Sequence, residues 1–105
     1  MRRRRGDRLE TATFATTVSH LGPVERKPLY HVRPGLRVLT LAAPGCTFTC
    51  DYCINFAMSQ YGRATGSSWS ATPVNVDMVI ARAVSERAAV GLSYTEPSLA
   101  MELTL

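Results

Sequence analysis

The residues best suited to chemistry are three cysteines within one short stretch, GCTFTCDYC, which runs from Gly45 to Cys53. Cys46, Cys50 and Cys53 follow the pattern C-x3-C-x2-C and are the only cysteines in the chain. Thiolates bind soft or borderline metals, so the stretch predicts a zinc or iron–sulfur site. Disulfides are disfavoured, because three thiols leave one unpaired and we expect a protein of the reducing cytoplasm.

The number of thiols favours an iron–sulfur cluster over zinc. A structural zinc site needs four protein ligands, and His20 and His31 lack the paired spacing typical of zinc ligands. A 4Fe–4S cluster usually takes four cysteines, so three would leave one iron open to a substrate or cofactor. The pattern therefore indicates reactive chemistry, and a non-catalytic zinc or iron–sulfur module remains an alternative.

The cysteine stretch follows a predicted buried strand. Leu36 to Ala42 is short, mostly apolar and flanked by Pro-Gly pairs, which is typical of a strand buried on both faces of a parallel sheet. A helix over Ile54 to Tyr61 would return from the loop, and Gly62 to Ala71 would form a polar connection. Sites of βα folds lie where strands end, and the cysteines lie there.

A longer helix is predicted to begin at Thr72-Pro73, with Thr72 as the N-cap, and to end at Gly91. Five apolar residues at helical spacing form its expected core face. They are Val76, Val79, Ile80, Ala83 and Val84. A second strand over Leu92 to Thr95 and a helix from Ser98 would follow. This order predicts an α/β chain with a βα crossover unit and the start of another.

Composition restricts the remaining function classes. The 105 residues are 46% hydrophobic and carry a net charge of +4, of which residues 1–10 contribute +3. We expect residues 1–20 to be a basic, disordered segment, although the threonine-rich part from Thr11 to Ser19 also suits a short strand. No aromatic residues alternate with the arginines, so we expect no nucleic-acid partner. The absence of a long apolar run or a signal peptide predicts a cytoplasmic protein without a membrane partner.

The cysteine pattern, with Tyr52 just before its last cysteine, resembles the signature of radical S-adenosylmethionine (SAM) enzymes. The segment PVERKPLYH (23–31), Ser59-Gln60 and the turn YTEP (94–97) also resemble one branch. That branch is the radical SAM enzyme of the AmmeMemoRadiSam system, which is related to pyruvate formate-lyase-activating enzymes. The resemblance covers roughly residues 21–105. Thr47 and Ile54 depart from the residues that family members often carry beside the cysteines.

The resemblance implies a role for each matching residue. Cys46, Cys50 and Cys53 would ligate a 4Fe–4S cluster, and SAM would bind the fourth iron and be cleaved reductively to a 5′-deoxyadenosyl radical. Tyr52 would lie near the adenine, and Thr95 and Glu96 would belong to the turn that contacts the methionine part of SAM. No residue of the chain is assigned a catalytic role. The expected partners are a reductant such as flavodoxin or ferredoxin, and a protein substrate or Memo-like components of the same system.

The implied fold is the N-terminal part of a (βα)6 radical SAM barrel, with residues 21–105 as the portion present. A βα unit takes roughly 30 residues, so the chain would supply about half of such a core. We therefore expect a truncated barrel whose activity alone is doubtful, and an inactive fragment is a further alternative. The substrate would be contacted by residues beyond Leu105.

Overall fold

A central strand with five consecutive buried residues organises the fold. The computed structural model describes residues 2–11, 16–61, 63, 72–94 and 96. In chain order the elements are β1 (Arg2–Arg5), β2 (Arg8–Thr11), β3 (Thr16–Pro23), a 3-10 helix (Val24–Arg26), β4 (Arg37–Ala42), α1 (Phe56–Ser59), β5 (Thr72–Pro73), α2 (Val76–Ser85) and β6 (Ala89–Leu92). None of the helices in these ranges is long and apolar enough to cross a membrane.

Strands β3 to β6 form one mixed sheet in the order β5-β3-β4-β6. Strand β4 pairs antiparallel with β3, from Val18 opposite Ala42 to Pro23 opposite Arg37. Strand β6 lies parallel to β4 on the other side, with Leu41 opposite Leu92. The expected parallel neighbour of the central strand is therefore present, and an antiparallel neighbour from the preceding segment accompanies it.

The two faces of β4 are covered by different parts of the chain. Leu39 and Leu41 are almost fully buried and form a core cluster with Ala83 of α2. On the other face, Val38 lines a pocket with Val24 and the segment before β4. Alternating side chains of a strand point to opposite faces, so the five consecutive buried residues of β4 reflect cover on both sides.

The amino-terminal residues differ from the expected disorder. Strands β1 and β2 form an antiparallel hairpin, and Gly6 in its turn has a φ of +60°, which glycine adopts without steric cost. Strand β3 begins at Thr16 and thus crosses the predicted boundary at residue 20. Its β-branched residues suit a strand, in keeping with the short strand offered as an alternative over Thr11 to Ser19, and its pairing with β4 extends to Pro23.

Helix α2 begins later and is more exposed than predicted. Asn75 is the N-cap, since its side chain accepts the Met78 N–H at 3.1 Å, while Thr72 and Pro73 form β5 against β3. Asn caps helices better than Thr, which favours the later start. Of the expected core face, only Ala83 is buried and Val79 partly so. The other three residues are more than half exposed: Val76 51%, Ile80 54% and Val84 72%.

The remaining elements are displaced or shorter than expected. Helix α1 is a single turn from Phe56 to Ser59. Strand β6 begins at Ala89, three residues before the predicted strand, so Gly91 lies inside a strand and does not end α2. A β-carbon on Gly91 would come within 3.0 Å of a Val38 methyl group, so this close approach accounts for the glycine. The helix expected from Ser98 lies outside the described residues.

Candidate functional site at the carboxyl ends of β4 and β6

The cysteine loop leaves the carboxyl end of β4 through a buried, constrained turn. Pro44 is fully buried, and Gly45 adopts a φ of +101° that a residue with a β-carbon rarely adopts. The Gly45 N–H donates to the carbonyl of Met58 at 2.9 Å, which joins the start of the loop to helix α1. The loop therefore begins at a defined position on the sheet edge.

All three cysteines are half-buried, and none forms a disulfide. The Cys53 N–H donates to the Cys50 carbonyl at 3.2 Å, which closes a turn between the last two cysteines. The Cys53 thiol donates to Ser59 Oγ at 3.5 Å. Within the described ranges, no three His, Cys, Asp or Glu side chains are grouped so that they could hold a metal ion. The backbone thus keeps the cysteines in one loop, while their sulfur atoms do not converge.

A buried polar cluster supports the backbone of this loop. Ser59 and Gln60 are 2% and 4% exposed, and Gln60 Nε2 donates to the Phe48 carbonyl at 3.3 Å. The Arg63 guanidinium donates to the carbonyls of Cys46 and Thr47 at 3.0 and 3.1 Å. Buried polar side chains need such partners, so these contacts account for the polar residues beneath the loop.

The sequence marks Ser59 and Gln60 only through their resemblance to one branch of the radical SAM enzymes, which does not indicate that they support the loop backbone. Arg63 was not predicted, because it lies in a segment read as a polar connection. An arginine shortly after a short helix carries no local signal that it bonds carbonyls in a preceding loop.

The end of β6 lies beside the cysteine loop. The Ser93 N–H donates to the Leu41 carbonyl at 3.2 Å, and Asn55 Nδ2 donates to the Tyr94 carbonyl at 3.3 Å. The carboxyl ends of parallel strands share one sheet edge, which is why two segments far apart in sequence meet here. The structure thus brings the cysteine loop and the first residue of the YTEP turn together.

Tyr94 occupies a strained backbone position at this junction. Its φ is +74°, in the left-handed region that bulky residues avoid. Lys27 Nζ lies 4.1 Å from the centre of its ring, which is within the range of a cation–π contact. Lys27 belongs to the segment 23–31 that precedes β4, so this segment contacts the same edge as the cysteines.

The predicted cofactor-contact residues are placed less completely. Tyr52 is 86% exposed, so its ring lies at the surface of the loop. Glu96 is half-buried, and Thr95 lies outside the described residues. Three further apolar side chains of the loop region are more than half exposed. They are Phe48, Ile54 and Phe56.

Comparisons with known proteins give one relative. A stretch of 82 residues is 33% identical to the uncharacterized protein MJ0808 of Methanocaldococcus jannaschii. The match covers 78% of this chain and 24% of the relative, so the chain spans about a quarter of that protein's length. No family model matches the chain, and no solved structure matches it. Because the chain matches only this part of the relative, statements about the activity, substrates and partners of a whole protein are proposals.

Proposed function

We propose that this chain is the cysteine-loop portion of a radical SAM protein, in which Cys46, Cys50 and Cys53 bind a 4Fe–4S cluster. The observation that carries the proposal is the position of the C-x3-C-x2-C loop at the carboxyl end of buried strand β4, beside the carboxyl end of parallel strand β6. Asn55, just after the loop, is hydrogen-bonded to the carbonyl of Tyr94, just after β6. Active sites of βα folds lie at this edge. The fold proposed for the whole protein is a (βα)6 barrel, of which β4, α2 and β6 would form part.

The donor set suits the cluster. Three thiols without disulfide partners are the ligands that iron–sulfur clusters use, and half-burial leaves them accessible for assembly. In the described conformation the sulfur atoms are not grouped, so binding requires the side chains of the loop to converge. The carbonyl contacts made by Gln60 and Arg63 would hold the loop backbone while they do so.

When bound, such a cluster supplies the single electron that cleaves SAM to methionine and a 5′-deoxyadenosyl radical. The chain's own residues would bind and orient SAM. Glu96 would place a carboxylate near the ammonium of the methionine part, which is a charge-assisted hydrogen bond. Tyr52 would offer a ring to the adenine, and Thr95 would belong to the same turn as Glu96. Asn55 would keep that turn beside the cysteines through the Tyr94 carbonyl.

The reaction of the whole protein would need components that this chain does not supply. A low-potential reductant such as flavodoxin or ferredoxin would deliver the electron. A protein substrate or Memo-like components of the same system would be the partners, in keeping with the branch that the sequence resembles. We place the protein in the cytoplasm, where reduced thiols and the cluster persist.

The test is anaerobic reconstitution of the full chain with iron and sulfide, followed by EPR spectroscopy with and without SAM. We expect a brown protein whose reduced-cluster signal changes when SAM is added. Cys50→Ala should abolish cluster assembly, because a cluster ligand is lost. Thr49→Ala, an exposed neighbour in the same loop, is the matched control and should reconstitute like the unmodified chain.

Other results would support the alternatives. A colourless protein that binds zinc through the same cysteines would indicate a zinc module. A cluster whose EPR signal ignores SAM would indicate a non-catalytic iron–sulfur module, and a chain that binds neither metal would indicate an inactive fragment. A full SAM-responsive cluster in Cys50→Ala would overturn the ligand assignment.

A further inference from the structure

A cleft lies at the amino ends of β4 and β6, whereas the cysteine loop lies at the carboxyl ends of these strands. It has a volume of about 410 Å³ and is lined by the loop 33–37 and by Glu86 and Arg87 after α2. Arg37 begins β4, and Arg87 precedes β6, so the cleft is at the amino ends of the two parallel strands. Small-ligand sites have volumes of roughly 300–1,000 Å³, and this cleft lies within that range.

The cleft has an excess of positive charge. Its lining residues include three arginines, Arg33, Arg37 and Arg87, and a single acidic residue, Glu86. Arg37 is paired with Glu86. Arg33 and Arg87 are exposed, and neither forms an ion pair with any other residue that the structure describes. Within the part of the chain that the structure describes, the positive charges of Arg33 and Arg87 therefore have no counter-charge.

Backbone strain points to a role for both unpaired arginines. Arg33 has a φ of +45° and Arg87 a φ of +48°, conformations for which glycine or asparagine is the usual residue. Arg87 follows the end of α2, a position that glycine most often occupies. Strained positions persist where the surrounding structure or a function requires them. Arginines thus occupy two strained backbone positions that border the same cleft.

The loop that carries Arg33 is held rigidly. The Leu36 N–H donates to the Arg33 carbonyl at 3.0 Å, and the Val24 N–H donates to the Leu36 carbonyl at 2.8 Å. The Gly35 N–H donates to Glu25 Oε1 at 2.6 Å. Because these bonds fix the turn before any ligand arrives, binding would cost little ordering of the backbone.

We propose that this cleft binds a ligand through a phosphoryl group that carries two or more negative charges. The forked donors of arginine match phosphoryl oxygens two at a time, and two unpaired guanidinium groups balance a dianion. An electron-donating protein is a weaker fit, because β4 separates the cleft from the cysteine loop by roughly 20 Å at about 3.3 Å per residue. The inference is independent of the proposed cluster.

The test is a titration of the full chain with inorganic pyrophosphate, in which isothermal titration calorimetry measures the affinity and amide NMR shifts locate the binding residues. We expect saturable binding, with the largest shifts in residues 33–37 and 86–87. Arg33→Gln with Arg87→Gln should weaken binding at least about tenfold, since both unpaired charges are lost. Inorganic phosphate should bind at the same residues more weakly, and acetate should not bind.

A matched double variant removes the same charge elsewhere. Arg8→Gln with Arg82→Gln changes two exposed arginines that do not line the cleft, and it should leave pyrophosphate affinity unchanged. Equal weakening in both double variants, or shifts that do not saturate, would show that pyrophosphate responds only to net charge and would overturn the proposal.

A third variant separates binding from helix stabilisation. Arg87 lies just beyond the carboxyl end of α2, where any cation interacts favourably with the helix dipole. Arg87→Lys keeps that charge but loses the fork, so we expect unchanged thermal stability and weaker pyrophosphate binding. Unchanged binding in Arg87→Lys together with lower stability in Arg87→Gln would assign Arg87 to the helix alone and contradict its role as a ligand contact.

Discussion

The Tyr94 backbone shows how individual side chains hold the candidate site together. A tyrosine at a φ of +74° costs on the order of 1–3 kcal/mol, which other contacts must offset. Two contacts converge on this residue: Asn55 bonds its carbonyl, and Lys27 lies over its ring. Because Asn55 lies between the cysteine loop and α1 and Lys27 lies in the segment before β4, Tyr94 links three parts of the chain.

Loss of the Asn55 amide should loosen this link. Asn55→Ala removes the donor to the Tyr94 carbonyl, and we expect a loss of about 0.5–1.5 kcal/mol in the free energy of unfolding. The Asn55 side chain makes no capping bond to α1, so helix capping does not confuse the result. Urea denaturation of Asn55→Ala and of Thr49→Ala would compare the two, and equal stability would contradict the link.

The carboxylate of Glu25, which holds the loop 33–37 through Gly35, should make the stability of the chain depend on pH. Hydrogen bonds from the Gly35 N–H and from its own N–H favour the ionised form and hold the pKa of Glu25 below its usual value. Because the pKa of Glu25 is lower in the folded chain than in the unfolded chain, its carboxylate stabilises the folded chain at pH values above the unfolded pKa of about 4.3. That contribution is lost as pH falls through the folded pKa.

Glu25→Gln supplies the comparison. The unmodified chain should be more stable than Glu25→Gln near neutral pH, and the difference should shrink below about pH 4.3 as the carboxylate is protonated. Urea denaturation at several pH values measures the difference directly. A stability difference that stays constant as the pH falls would contradict the ionised state of Glu25 as its cause.

Among the elements, β4 and α2 contribute very differently to the core. Leu39 of β4 is 1% exposed, whereas Ile80 of α2 is 54% exposed. We expect Leu39→Ala to cost about 2–5 kcal/mol, because it leaves a cavity in a packed site. Ile80→Ala should change stability by less than about 0.5 kcal/mol, since its side chain is mostly in water. Thermal or urea denaturation of both variants tests this, and similar losses would mean that α2 is covered in solution.

For the molecule as a whole, local patterns predicted what local interactions determine. The apolar run of β4 and the cysteine loop at its end needed only neighbouring residues to be recognised, and the strand is confirmed. The sequence predicts the parallel strand from Leu92, three residues after its first residue Ala89, because a glycine at position 91 is typical of a helix end. Its true role, a close approach to Val38, depends on a residue far away in the sequence.

Features set by distant contacts escaped prediction. The sequence offered a short strand over Thr11 to Ser19 only as an alternative to disorder, because the pairing with β4 that stabilises β3 over Thr16–Pro23 is a distant contact. The stripe on α2 showed that one helix face is apolar, but the spacing of residues does not determine which of them the sheet covers. In the site, Arg63 and Lys27 act across the fold on the cysteine loop and on Tyr94, so their roles follow only from the tertiary structure. The metal and SAM contacts remain predictions.

The two neighbours of β4 are reached over very different lengths of chain, which bears on the order of folding. Residues 24–36 separate β3 from β4, whereas residues 43–88 separate β4 from β6. The entropy lost on closing a loop grows with its length, and pairings between distant residues slow folding. The β3–β4 hairpin should therefore form first. The cysteine loop lies within residues 43–88, which connect β4 to β6. It therefore reaches its final conformation only when β6 pairs with β4, which is the later step of folding.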